Sequence, residues 1–308
     1  MKVKVGVIGV GSLGSIHARI YAGMPEVQLV AVCDTNLRQA KKVARACRCQ
    51  YFSDYTKLFG LVQAVSIVVP TNLHYKISRR CLEEGMHLLV EKPFTSSINE
   101  AEELLGLAKK KNLLLQVGHV ERFNAAVQAV QELPGRPKFI ECHRLGPFAA
   151  RVKDIGVVLD LMIHDIDIIL GMVDSPVESI QAVGVNVLTA HEDIANARIN
   201  FKNGAVANIT ASRISPKSMR KIRLFQENAY ISLDYESQEA SIYEKQGKKI
   251  TRKKINIKKE KPLQKELRSF IQCVKEEKKP LVSGEQGRDA LAIACEILDK
   301  IKQFSYHA

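Results

Sequence analysis

The chain has no tryptophan and few aromatics, which make up 6% of its 308 residues. Nowhere do 18 apolar residues follow one another, so no membrane span is expected. Internal repeats and low-complexity linkers are also missing, which argues against a solenoid or a disordered arm. The seven cysteines (Cys33, Cys47, Cys49, Cys81, Cys142, Cys273, Cys295) are odd in number and scattered. Cys47 and Cys49 have no second pair or nearby histidines to complete a zinc site, so no metal is expected. All seven read as reduced thiols, and the expected location is cytoplasmic. The opening stretch puts two lysines before an apolar run, as a signal peptide does, but no small-residue cleavage site comes after it.

What is abundant is positive charge. The formal net charge is +13, and between Lys245 and Lys265 ten Lys/Arg residues face one acid, Glu260. The residues Ile250, Ile255 and Ile257 alternate loosely through that stretch, as in a half-exposed strand pair with charged outer faces. Aromatics do not interleave with the lysines, so nucleic acid is not expected as a partner.

Along the first 120 residues, apolar runs alternate with helical patterns. Val3–Ile8, Leu29–Cys33, Ala64–Val69, Met86–Val90 and Leu113–Val117 read as strands. Ser12–Ala22, Leu37–Ala46, Leu73–Glu84 and Ile98–Lys111 read as the helices between them. Fully apolar strands alternating with helices indicate a parallel sheet covered on both faces. After Gly118 the rhythm changes. A helix over Glu121–Gln131, a strand over Lys138–Arg144 and a long helix near Val157–Met172 are succeeded mainly by strands. Alternating arms flank Asn203-Gly204, a strong hairpin signal. Two helices close the chain. The fold expected is α/β: a doubly wound parallel sheet over residues 1–119, then an α+β domain over 120–308 with a mainly antiparallel open sheet. One face of such a sheet is left bare, so a homodimer or homotetramer is expected.

Gly9-Val10-Gly11-Ser12-Leu13-Gly14 is a G-x-G-x-x-G that comes after a strand and opens a helix. In that setting the first glycine turns the chain, the second admits a pyrophosphate and the third lets helix and strand pack closely. Backbone N–H groups at the start of the helix, Ser12 and Leu13 among them, meet the phosphates. Asp34 ends the second strand about 20 residues on, where an acid binds the adenine ribose and repels a 2′-phosphate. The expected cofactor is therefore NAD(H). Asp34 is also a good helix N-cap, which is the competing reading.

A second constellation lies in "GVVLDLMIHDIDIILGMV", a helix apolar on nearly every side except at Asp160, His164, Asp165 and Asp167. Asp160 and His164 are four apart and so share a face. Polar groups on a buried helix are unfavourable unless paired or turned to a cleft, and a His with an Asp nearby suits proton abstraction from a hydroxyl. A third segment, "PTNLH" (Pro70, Thr71, Asn72, Leu73, His74), precedes Glu91-Lys92-Pro93 at the end of the fifth strand. There Lys92 is expected to be partly buried, and burial makes a lysine ready to exchange protons.

With the glycine loop, these segments resemble the glucose–fructose oxidoreductase / inositol dehydrogenase family. The resemblance implies that Pro70, Thr71, Asn72 and His74 lie by the cofactor. Glu91 would hold the nicotinamide-side ribose, and Lys92 would sit by the ring and the reacting carbon. Asp160, His164 and Asp167 match the family's second-domain motif, with Met162 where glycine is common, a change expected to reshape the sugar pocket. "ERFN" resembles a cleft segment, so Arg122 and Asn124 are expected to face substrate with Lys92, Asp160 and His164. Arg144, Arg151 and Lys153 are candidates for phosphate. The implied chemistry is oxidation of a secondary sugar hydroxyl. Within the family, "VGHVERFN" and "VVLDLMIHDIDIIL" look most like members acting on the 3-hydroxyl of UDP-N-acetylglucosamine, whose product feeds an aminotransferase for lipid A-type glycolipids. Inositol, a free sugar or another cyclic polyol is the alternative substrate. A non-catalytic nucleotide-sensing regulator is the alternative class, but it would keep the glycine loop and lose the Lys and Asp/His set.

Overall fold

The computed structural model describes residues 1–148 and 155–305. Its first unit grows from β1 (Val3–Ile8), which buries Val3, Val5 and Val7 on one face of the sheet and Gly6 and Ile8 on the other. Next come α1 (Ser12–Ala22), β2 (Val27–Cys33), α2 (Leu37–Cys47), β3 (Gln50–Phe52), β4 (Ala64–Ile67), α3 (His74–Glu83), β5 (His87–Glu91), α4 (Ile98–Lys110) and β6 (Leu115–Gly118). All neighbours in this six-stranded sheet pair in parallel, in the order β3-β2-β1-β4-β5-β6. Strand order reverses beside β1, and ligands of such sheets bind there, at the carboxyl ends of the strands.

The second unit begins with α5 (Ala125–Gln131) and β7 (Phe139–Leu145). A π-helical stretch, Val158–Met162, then runs directly into α6 (Ile163–Met172). The strands β8 (Val177–Val185), β9 (Ile194–Phe201), β10 (Val206–Ser212), β11 (Met219–Phe225), β12 (Ala229–Asp234), β13 (Glu239–Gln246) and β14 (Lys249–Lys254) come next, and then α7 (Pro262–Glu276) and α8 (Gly284–Ser305). Eight strands form the second sheet, in the order β14-β13-β12-β11-β7-β10-β9-β8, antiparallel except for β7 beside β10. The Asn203-Gly204 turn joins β9 to β10, with Gly204 at φ +81°. One face buries Ile140, Ile199, Ile209, Ile222 and Ile231 against the helices. The other carries a cross-strand row of stacked rings, Phe139, Phe225, Tyr230 and Tyr243, all half-buried.

The division of the chain differs from the expected 1–119 and 120–308. The first unit comprises Met1–Val120 and Lys261–Arg288, and the second Glu121–Glu260 with the chain from Asp289. The cause is α7, whose Leu267, Phe270 and Ile271 join the core of Val3, Val5, Val7 and Tyr21. The basic stretch splits too: Lys249–Lys254 is the edge strand β14, while Ile255 and Ile257 turn in against the second core. Among the described residues, no helix is long and apolar enough to cross a membrane.

Candidate active site

The glycine loop takes the shape its spacing demands. Gly9 has φ +83°, and a Cβ there would lie 2.3 Å from the Val68 carbonyl oxygen. At Gly14 a Cβ would lie 1.9 Å from the Gly9 oxygen, which locks α1 onto the turn. Gly11 is different: nothing lies within 4 Å of its Cβ position. The space beside it opens into a cavity of about 250 Å³ lined by Gly9, Gly11, Asp34, Thr35, Ser53, Pro70 and neighbours. No side chain caps the start of α1, and its first turn holds no acid. Ser12 and Leu13, at the start of that helix, are exposed, and an uncapped helix start beside the glycine loop fits the phosphates of a dinucleotide.

Asp34 borders the same cavity. Its carboxylate accepts the Val10 amide at 2.9 Å and the Asn36 amide at 2.8 Å, which ties it to the loop. The N-cap of α2 is Asn36, so Asp34 does not have that role. Pro70 lines the cavity, and Thr71 and Asn72 form the adjoining 3₁₀ turn. His74 has a different place from the one expected. It is 1% exposed, with Nδ1 2.9 Å from the Pro93 oxygen and Nε2 2.8 Å from the Val69 oxygen. Its ring braces the end of β4 to the turn after Lys92 instead of facing a cofactor.

Glu91 closes β5 and is 8% exposed. His17 Nε2, on α1, lies 3.2 Å from its Oε1. On the opposite strand Gly118 leaves room for the carboxylate, since a Cβ there would be 2.9 Å from it. Lys92 is half-buried, as expected, and the Lys92–Pro93 bond is cis. Sequence reasoning passed over His17. The available signal was a lone histidine one turn beyond Gly14, on the helix face shared with buried Ala18 and Tyr21.

In the second unit, Asp160 and His164 are half-buried and lie on either side of the junction between the π turn and α6. A π turn is rare and recurs at functional sites. Met162 is fully buried in the hydrophobic core of this unit, so its bulk goes inward rather than into a pocket. Asp167 is 2% exposed, and burial pushes its carboxyl up to about 7, against the pull of Arg122.

Three residues expected to face substrate are engaged within the protein. Arg144 is 3% exposed and grips Asp165 through Nε and Nη2, both at 2.9 Å, and Glu121 through Nη1 at 3.0 Å. Its guanidinium also lies 5.0 Å from the Tyr235 ring centre. Buried and with Nε, Nη1 and Nη2 each bonded to a carboxylate, Arg144 anchors this unit rather than standing open to a phosphate as expected. Asn124 caps α5 by accepting the Ala126 amide, and its amide group donates to Glu121 and to the Tyr235 carbonyl. Arg122 is 6% exposed and packs on Gly171, reaching the Asp167 carbonyl at 3.4 Å. Arg151 and Lys153 lie outside the described residues. No group of three or more metal-ligating side chains occurs among the described residues.

A Rossmann sheet with an open glycine loop and a carboxylate bordering its cavity is the arrangement of a dinucleotide-binding protein. Residues 3–119 match the model for "oxidoreductase family, NAD-binding Rossmann fold", and residues 125–232 match the Gfo/Idh/MocA C-terminal domain. A UDP-N-acetylglucosamine 3-dehydrogenase of Acidithiobacillus ferrooxidans is 35% identical, over 98% of this chain and 98% of its own length. Its solved structure superposes with a TM-score of 0.94, covering 99% of both chains. A scyllo-inositol 2-dehydrogenase (NAD(+)) of Bacillus subtilis is 30% identical over 70% of this chain and 68% of its own. The chain belongs to the Gfo/Idh/MocA family of NAD-binding oxidoreductases.

Proposed function

We propose that the chain catalyses oxidation of the 3-hydroxyl of UDP-N-acetylglucosamine to a 3-keto sugar. The observation that carries this reading is the end-to-end similarity to a dehydrogenase of that name, at 35% identity over 98% of both chains. NAD⁺, when bound, supplies the hydride acceptor. The glycine loop and Asp34 hold its adenosine and pyrophosphate portions, and Glu91 its nicotinamide-side ribose. Lys92 stabilises the alkoxide as the hydroxyl proton leaves, and His164, with Asp160, takes that proton. The keto product is the natural substrate of an aminotransferase, which would consume it. The ring-stacked outer face of the second sheet supports a homodimer or homotetramer, and seven unpaired cysteines support a cytoplasmic location.

The test couples the chain to an aminotransferase with glutamate, because oxidation to a ketone is easily uphill, and identifies the product by mass. UDP-N-acetylglucosamine should yield a 3-amino sugar nucleotide. If it neither binds nor reacts while inositol or glucose reduces NAD⁺ readily, the polyol assignment replaces this one.

A further inference from the structure

We propose that Glu192, together with Gly156, is the positioning element for the turn that carries Asp160 and His164. This rests on the acid–base reading of that pair. The turn has no side-chain cap of its own. Its opening amides are met instead from the loop that enters β9. The Val157 N–H donates to the Glu192 carbonyl at 3.0 Å, and the Val158 N–H donates to Glu192 Oε1 at 3.1 Å. The first amides of a helix form its positive end, so a carboxylate is the favoured partner.

Gly156 makes that approach possible. A Cβ at this position would lie 1.9 Å from Glu192 Oε1 and 2.1 Å from its Cδ. Any side chain at 156 would displace the carboxylate or the turn. The Gly156 oxygen in turn accepts the Asp160 N–H at 3.1 Å, so the contact runs without a break from Glu192 to Asp160.

Glu192 is itself held firmly. It is 7% exposed, and its neighbour Asp193 is fully buried. Asp193 Oδ2 accepts the amides of Val187, Leu188 and Thr189, and Oδ1 accepts Arg213 Nε at 2.7 Å. Arg213 Nη1 donates to the Ile155 carbonyl at 2.7 Å. Ile155 and Val157 are thus each bonded to the Glu192–Asp193–Arg213 group, with Gly156 packed against the Glu192 carboxylate between them. The apolar side chains of the turn, Val157, Val158 and Met162, are fully buried, but apolar burial is non-directional. It seats the buried side of the turn but does not fix where the turn begins. The directional bonds from Glu192 fix the start of the turn and with it Asp160, and so the turn's registry with α6, which Arg144 on Asp165 holds beside His164.

The experiment compares Glu192→Ala, Glu192→Gln, Glu192→Asp, Gly156→Ala and His164→Ala in the coupled assay, with NADH affinity and melting temperature measured on each. NADH binding belongs to the first unit and should stay within about twofold of wild type. Turnover should fall tenfold or more in Glu192→Ala and Gly156→Ala. The Gln variant, which keeps an oxygen at the same reach, should recover most of it. The limb of the pH–rate profile lost in His164→Ala should move in Glu192→Ala, a change that simple loss of folded protein would not produce. Should Glu192→Ala prove insoluble, Glu192→Asp, one methylene short, carries the same expectation. Unimpaired turnover in Glu192→Ala and Gly156→Ala beside a crippled His164→Ala overturns the positioning role alone. So does a Gln variant as impaired as the Ala one with an unmoved profile. A near-normal His164→Ala overturns the acid–base reading and this inference with it.

Discussion

The two units fix their functional groups with a different balance of means, although Gly156 in the second and His17 on Glu91 in the first cross the line. The first does it with absences: Gly9, Gly14 and Gly118 sit where a single carbon would collide with a carbonyl or with Glu91. The second does it with charge buried in pairs, Arg144 on Asp165 and Glu121, and Arg213 on Asp193. A backbone that must pass close to a ligand tolerates one residue type, and the requirement is written in the sequence. A buried ion pair needs only that two distant residues meet, and nothing local announces it.

The sharpest way to break the contrast is through the glycines. Gly14→Ala should abolish NADH binding and lower the melting temperature, because its Cβ lands 1.9 Å from the Gly9 oxygen. Gly11→Ala should leave the melting temperature alone and still weaken NADH at least tenfold, since its empty surroundings suit the pyrophosphate. Fluorescence titration with thermal melts separates the two, and a Gly11→Ala protein with normal NADH affinity would show that the space serves something else.

On the other side, Arg144→Leu strands Asp165 and should destabilise the protein by about 3–5 kcal/mol in denaturant unfolding. Unchanged stability with a raised KM for the sugar nucleotide would instead return Arg144 to the ligand. Next in size come the reacting groups themselves. Lys92→Met and His164→Ala should each lower turnover about 10²-fold or more with NADH affinity near normal. Normal turnover in both would remove the proposed chemistry.

The smallest effect is one of pH. The Asp167 carboxyl titrates near 7 when folded against an ordinary 3.8, so the folded state binds the extra proton between those values. Stability should therefore fall as pH rises from about 4 to 7 and level off above. Asp167→Asn should lose that slope, its melting temperature gaining on wild type between pH 5 and 8. Parallel curves would show that Asp167 titrates normally.

Legibility in the sequence divides along the same line. The glycine loop, the strand–helix alternation and the Asn203-Gly204 hairpin were readable because each depends on local geometry. The strand β3, three residues long, and β8, whose alternation is broken by Glu178 and Gly184, gave too little pattern. The return of α7 to the first unit was invisible, because the stripe of Leu267, Phe270 and Ile271 would suit either core. Arg144 did leave a trace. It succeeds Ile140 and Cys142 at spacing two along β7, which puts it on the core face. The π turn left none, since its five residues span the same stretch that an ordinary helix would.

That turn makes helical phase, rather than composition, the vulnerable quantity. A π turn is an α-helix with one residue too many. Removing Leu161 or Met162 would restore the regular ladder and swing the residues before the cut by about 100° relative to α6. Asp160 and His164, three apart instead of four, would stay neighbours on the helix but lose the relative rotation and spacing that the turn gives them. In this stretch a one-codon deletion is a graver change than replacing the same residue, even where every charged group is still present.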